Sequence, residues 1–243
     1  MCRHMTIRSD VSKLSCYYGD SKLTKEALEL KATTNLVNGA DHKRHPVITC
    51  KYPNEIKELS WGLIPSFCNN QEEADKFAMM CLHARAEELE SKVSYRGLIW
   101  KQRCLIPSTG FFEFNHFDKK NKVPYYIYMK DKQPFSMAGI YSVWKRPTDG
   151  VIFPTFAVLT TDANELMSKI HNSAQRMPVI IRPDQYNDWL KPEFTEADRK
   201  RHCVPFPDEL MMAHRVKNFL KKDFNPANDP TMPFYPDDQM NLF

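Results

Sequence analysis

The chain has 243 residues, enough for one large domain or two small ones with a real core, and its 42% hydrophobic and 12% aromatic content excludes a disordered protein. A net charge of +4 permits a nucleic-acid partner without requiring one. No apolar run nears the roughly 20 residues of a membrane helix, the N-terminus MCRHMTIRSD lacks a signal-peptide stretch, and the seven cysteines contain no C-x-x-C pair. A soluble cytoplasmic protein with reduced thiols is expected.

In chain order, residues 21–31 read as a short helix capped by Ser21, with Leu23, Ala27, Leu28 and Leu30 as its apolar stripe. Strand-like runs then dominate, at 46–52, 59–65, 103–107, 110–117, 123–130, 134–144 and 154–161. They are rich in β-branched and aromatic residues and bounded by Pro, Gly, Asn and Asp. Two more helices are predicted: 161–170, capped by Thr161 or Asp162, and 182–190, with Pro183 near its start. The sum is an α+β chain: a curled, mostly antiparallel, barrel-like sheet with flanking helices. Residues 224–243 are proline-rich and polar, and read as an extended tail lying on the surface or in solvent.

Cys2 is where chemistry enters. Aminopeptidases remove Met1 when the second side chain is small, and that would leave an amine and a thiol on adjacent carbons. With free pKa values of about 8 and about 8.5, both become nucleophilic near neutral pH after modest tuning. A 1,2-aminothiol condenses with an aldehyde to an imine, and the thiol then closes a five-membered thiazolidine intramolecularly. Two C-x-H pairs, Cys2 with His4 and Cys81 with His83, match no common zinc spacing, so no metal or cofactor is expected.

In GFFEF (110–114), period 2 puts Glu113 on one face with Phe111 and Asn115, and Phe112 with Phe114 on the other. A carboxyl among aromatics is desolvated and suited to acid/base work. The alternatives are that it faces solvent or pairs with Arg85 or Arg103. His171, in IHNSAQRMPVII, falls where a predicted helix ends; a helix C-terminus favours the imidazolium, a proton donor at neutral pH. The alternative is a surface capping histidine.

Together, Cys2, WGLIP (61–65), HARAE (83–87), RCLIPSTGFFEF (103–114), PYYIY (124–128), FSMAGIY (135–141), LTTDAN (159–164) and IHNSAQRMPVI (170–180) resemble the SRAP family, the SOS-response-associated peptidases. The resemblance runs from residue 2 to about 218 and places an SRAP domain at 1–223 and a tail at 224–243. It implies a curled antiparallel sheet with a positive groove and loss of Met1. It also implies a thiazolidine crosslink from Cys2 to the ring-opened aldehyde of an abasic site in single-stranded DNA, with AP lyase and self-peptidase activities alongside. By the match, Glu113 assists imine formation and ring closure, His171 handles the sugar hydroxyl, and Arg85 contacts phosphate. His83, Arg3, Trp61, Pro65 and Arg176 join the adduct and DNA-binding set. Two departures stand out: Arg3 follows the cysteine where the family has glycine, and His83 replaces an asparagine that helps hold the adduct.

The terminus Gln239-Met240-Asn241-Leu242-Phe243 resembles the sliding-clamp-binding pentapeptide of bacteria, with Leu242 and Phe243 as apolar anchors. The expected protein is a monomer, bacterial, cytoplasmic and associated with the nucleoid. Two other functions fit the same residues. One is an N-terminal-nucleophile peptidase or amidase in which Cys2 attacks carbonyls. The other is a non-catalytic single-strand-binding module with aromatics stacked on bases.

Overall fold

The computed structural model describes residues 3–8, 14, 17–18, 22–23, 34–117, 121–225 and 227–235. Its strands are β1 (His4–Ile7), β2 (Lys22–Leu23), β3 (Thr34–Asn38), β4 (Arg44–Thr49), β5 (Tyr52–Trp61), β6 (His83–Arg85) and β7 (Arg103–Ser108). They continue with β8 (Gly110–His116), β9 (Lys122–Met129), β10 (Phe135–Lys145), β11 (Ile152–Asp162), β12 (Arg176–Pro178), β13 (Ile180–Ile181) and β14 (Met211–Arg215). The helices are short: α1 (Gln71–Met80), α2 (Leu98–Lys101), α3 (Glu165–Ile170), α4 (Tyr186–Leu190) and α5 (Glu196–His202).

Two sheets form. The order β5-β4-β7-β10-β11 is antiparallel throughout, and a parallel pairing of β11 with β5 closes it into a five-stranded barrel. Closure leaves these strands without open edges. The second sheet, β14-β9-β8-β1-β3, is antiparallel and leaves the barrel at the β7–β8 corner. A Cβ on Gly110 would stand 2.3 Å from the Tyr126 ring, so only glycine lets that ring cross the corner.

Alternation sorts the barrel strands into two cores. Ile106, Met137, Phe156 and Val158 face Met5, Phe111, Tyr125 and Ile127 of the second sheet. Leu105, Ala138, Ile140 and Leu159 are covered instead by Ile99, Trp189 and Leu190 from the short helices. The α+β, antiparallel, barrel-like expectation therefore holds.

Local differences have local causes. The strand predicted at 46–52 breaks into β4 and β5 because Thr49 pairs with Tyr52 across a tight turn. The helix predicted from 161 begins at 165: Thr161 and Asp162 stay in β11, paired with Met177 and Arg176, and Asn164 caps the helix by accepting the Met167 N–H at 2.8 Å. Lys22 and Leu23, read as the first turn of a helix, instead pair in parallel with Glu55 and Ile56 of β5. The rest of that predicted helix lies outside the described residues. Strand β14 and helices α1 and α5 went unread, since their apolar spacing is weak. Asn70 and Thr195 cap the two helices.

Candidate active site

Strand β8 carries Glu113 into the space between its sheet and α3. The carboxylate is 3% exposed and pairs across the ladder with Tyr125. Its face is the one that alternation gave, with Phe111 in the main core and Asn115 alongside. Neither candidate cation reaches it. Arg103 is fully buried and donates to the carbonyls of Ile99, Trp100 and Trp189, while Arg85 pairs with Glu88 at 3.2 Å. Burial pushes the Glu113 carboxyl up to about 7, against the downward pull of the Phe114 N–H. At neutral pH it is then an acid and a base in comparable amounts.

His171 caps the C-terminus of α3 and is 3% exposed. Its Nδ1 lies 2.9 Å from the Arg176 carbonyl, which can only accept, so Nδ1 carries the hydrogen. In the neutral ring that leaves the Nε2 lone pair facing Glu113, with Oε2 3.9 Å away. Burial lowers the His171 pKa from its ordinary value, and the Arg176 carbonyl raises it only in part. The imidazolium expected from the helix end is thus corrected. A helix of six residues offers a weak dipole, and desolvation outweighs it. The arrangement is a neutral base opposite a half-protonated acid, too far apart for a direct hydrogen bond.

Two asparagines that the sequence reading passed over fix this pair. Asn115 donates to the Lys169 carbonyl at 2.6 Å. Asn172 grips the backbone of His116 twice, accepting its N–H at 2.9 Å and donating to its carbonyl at 3.0 Å. Together they tie the turn that holds His171 to the strand that holds Glu113. The available signal was position: each asparagine lies within two residues of a candidate catalytic side chain.

The other predicted residues divide. His83 and Arg85 lie on β6, beside Val158 and Thr160 of β11. His83 meets the edge of Trp61 with ring centroids 5.9 Å apart. Arg85 stays about half exposed despite its Glu88 pair, and Arg3 is exposed. Trp61 and Pro65, of the expected adduct and DNA-binding set, are buried. Trp61 stacks on Phe156 and donates from its indole to the Leu82 carbonyl at 2.8 Å, so it supports His83 from behind. Arg176 is enclosed likewise. It is buried, and its guanidinium donates to Glu87, Asp162 and the Thr160 carbonyl. What faces the site is its backbone carbonyl.

Cys2, Gln239, Leu242 and Phe243 lie outside the described residues. The register of β1 bears on the first of these. His4 pairs with Phe112 and Thr6 with Gly110, so β1 runs toward its N-terminus alongside β8 in the direction of Glu113. His4 is itself buried between Phe114 and Phe219, and burial, with Arg3 nearby, pushes it down to about 4. No group of three or more metal-ligating side chains occurs among the described residues.

The sequence matches the SRAP family, described as SOS response associated peptidase, over residues 1–222. It is 33% identical over 180 residues to the Bacillus subtilis protein named abasic site processing protein YoqW, covering 74% of this chain and 76% of that one. Identity is 29% over 182 residues to the Xenopus tropicalis abasic site processing protein HMCES, covering 67% of this chain and 50% of that one. A solved Bacteroides thetaiotaomicron protein superposes with a TM-score of 0.89 at 36% identity, over 96% of this chain and 100% of that one. A Bordetella bronchiseptica structure shares the fold, with a TM-score of 0.74 at 22% identity over 89% and 100%.

Proposed function

The chain belongs to the SRAP family, and we propose that it processes abasic sites in single-stranded DNA by crosslinking them through Cys2. The observation that carries this reading is the buried Glu113–His171 pair at the end of the sheet toward which β1 runs. Such a pair, a group that delivers protons near pH 7 and a neutral base beside it, accelerates ring opening of the sugar and aldehyde capture by an aminothiol.

The steps follow from the groups. Removal of Met1 frees the amine of Cys2. His171 Nε2 takes the proton of the sugar C1′ hydroxyl; the bond from C1′ to the ring oxygen breaks, and that oxygen takes a proton from Glu113. The Cys2 amine adds to the C1′ aldehyde. His171 returns to Glu113 the proton it took, and a proton of the adding amine passes to the aldehyde oxygen. The resulting hydroxyl leaves as water with the proton of Glu113, giving an iminium that hands a proton back to Glu113 and becomes an imine. The thiol adds across the C=N bond, its proton ends on nitrogen, and the thiazolidine closes with one water lost overall. Arg3 and Arg85, both solvent-facing, supply phosphate contacts that carry no sequence preference. In this reading His83 holds the adduct.

Intact mass spectrometry after mixing the protein with abasic single-stranded DNA tests the whole scheme. The expected mass is protein without Met1, plus DNA, minus one water. Cys2→Ala should give no adduct; equal crosslinking by that variant would overturn the proposal. Turnover of peptides in trans by the processed protein would favour an N-terminal-nucleophile amidase instead. In the same reading the segment ending Gln239, Leu242 and Phe243 tethers the protein to a sliding clamp. Deleting 239–243 should then abolish clamp capture and leave crosslinking rates unchanged.

A further inference from the structure

Strand β14 is an edge of the second sheet, with β9 on one side of it. The register runs from Met211 opposite Met129 to Arg215 opposite Tyr125. The flanking bonds, from the Lys130 N–H to the Leu210 carbonyl and from the Val216 N–H to the Pro124 carbonyl, give the even-numbered residues to β9. In an antiparallel strand the alternate residues turn their N–H and C=O groups the other way. Ala213 therefore presents both groups outward, and Met211 its carbonyl, since the Met211 N–H goes to Asp208. Such an edge is a template for a further strand.

The chain itself begins to take that place. Arg8 holds Asp229 and the Thr231 hydroxyl at 2.8 Å each, and the Thr231 carbonyl accepts from His214 Nε2 at 2.7 Å. Pro233 then pairs antiparallel with Val216, and the Phe234 N–H donates to the outward Arg215 carbonyl at 2.8 Å. Continued down β14, that register sets Pro236 opposite Ala213 and Asp238 opposite Met211. Proline has no N–H to give, but its carbonyl can take the Ala213 N–H, and the Asp238 N–H can reach the Met211 carbonyl.

The surroundings of the edge suit the next residues in kind. Beside β14 lies a cavity of about 890 Å³ whose lining includes Arg8, Lys132 and Arg215 and, among its described residues, no carboxylate. Asp237 and Asp238 carry two. Past Met211 a groove of about 680 Å³ is lined by Met129, Phe135, Ile180, Phe206 and Leu210, and it shares Gln133 and Pro134 with the first cavity. Leu210 is 41% exposed there. At about 3.3 Å per residue, the five residues after Asp238 reach about 16 Å beyond it, over that groove.

We propose that residues 236–243 add a strand along β14, with Asp237 and Asp238 beside Lys132 and Arg215, and with Leu242 and Phe243 seated against Phe206 and Leu210. Register, charge and reach together single out this segment as the occupant. The proposal goes beyond the abasic-site reading and does not rest on it. Leu242 and Phe243 held in the groove cannot also fill the pocket of a sliding clamp, so this latch opens before any clamp capture.

Backbone amide exchange followed by NMR on the full chain tests the latch. The Ala213 and Asp238 amides should exchange about tenfold more slowly in the parent than in the Leu242→Ser/Phe243→Ser variant, which keeps every strand residue and loses the apolar anchors. The Met212 and His214 amides, on the β9 side, should exchange alike in both. Leu210→Glu, at an exposed position of the groove, should reproduce the loss of protection from the other side of the contact. Equal exchange of Ala213 and Asp238 in the parent and both variants would overturn the latch. Protection that grows with protein concentration alongside a dimeric mass would also overturn it, by giving the edge to the tail of a second copy.

Discussion

His171 and Arg176 belong to one segment, five residues apart and both buried, yet their surroundings differ in kind. Arg176 is held at both terminal nitrogens: Glu87, Asp162 and two oxygens of Thr160 take their protons, and the buried Nε is left without a hydrogen-bond partner. Burial, the largest single influence, pushes the Glu87 carboxyl up, but the hydrogen bond and charge of Arg176, its own backbone N–H and the Arg85 charge together outweigh it and the net shift is downward, so the ion pair stays charged. His171 has one nitrogen fixed by a carbonyl and the other set 3.9 Å from a carboxyl that burial holds near neutrality. One cluster satisfies its charges and stabilises; the other keeps protons exchangeable at the cost of desolvation. Burial of an ionisable group therefore points to a reactive site where it holds the group's pKa near the working pH, as at Glu113, and not where ion pairs keep the charge fixed, as at Arg176.

Substitutions can break that contrast. Glu113→Gln keeps the shape and removes the titrating proton. Crosslinking to abasic DNA should slow by about 10²–10⁴-fold, the usual contribution of a general acid/base; single-turnover gel assays would read it, and a loss under threefold would remove Glu113 from the mechanism. Arg176→Ala should act oppositely. It should cost about 1–2 kcal/mol of stability in denaturant unfolding, less than breaking a fully buried pair does, because Glu87 and Asp162 are half or more exposed and can turn to water. It should move the pH optimum of crosslinking only slightly, since the carbonyl that orients His171 belongs to the backbone and the Arg176 charge is the smallest of the influences that lower the His171 pKa.

The pH dependence of stability sharpens the same comparison. Glu113 has a raised pKa in the folded state, about 7 against an ordinary 4.5, so the folded form binds the extra proton in between. Its stabilising contribution is full below about pH 4.5 and is lost as pH rises through about 7, amounting to roughly 3 kcal/mol. Denaturant midpoints between pH 4.5 and 8 should fall in the parent relative to Glu113→Gln; parallel curves would refute the shift. The smallest effect is expected at Asn172→Ala. Two lost hydrogen bonds to an exposed backbone should cost about 1 kcal/mol. Crosslinking should nevertheless slow several-fold with a displaced pH profile, because the turn carrying His171 is no longer tied to β8.

Much of this was legible in the chain. Alternation in GFFEF set the face of Glu113, helix periodicity put His171 at a helix end, and the order of short motifs from Cys2 to IHNSAQRMP carried the family. These signals are local, or they are patterns along one strand, and residue spacing fixes them. What only the tertiary structure decided is which groups meet and how dry they are. Trp61, Pro65 and Arg176 look identical in sequence to surface motif residues; closure of the barrel through β5 and β11 and the packing of β12 on β11 bury them. The protonation state of His171 reversed for the same reason. Its charge depends on desolvation by elements distant in sequence and on the Arg176 carbonyl, and neither is encoded in the spacing of its neighbours. The row from Glu113 through Tyr125 to Arg215 spans about a hundred residues of chain and becomes a row only when three strands pair.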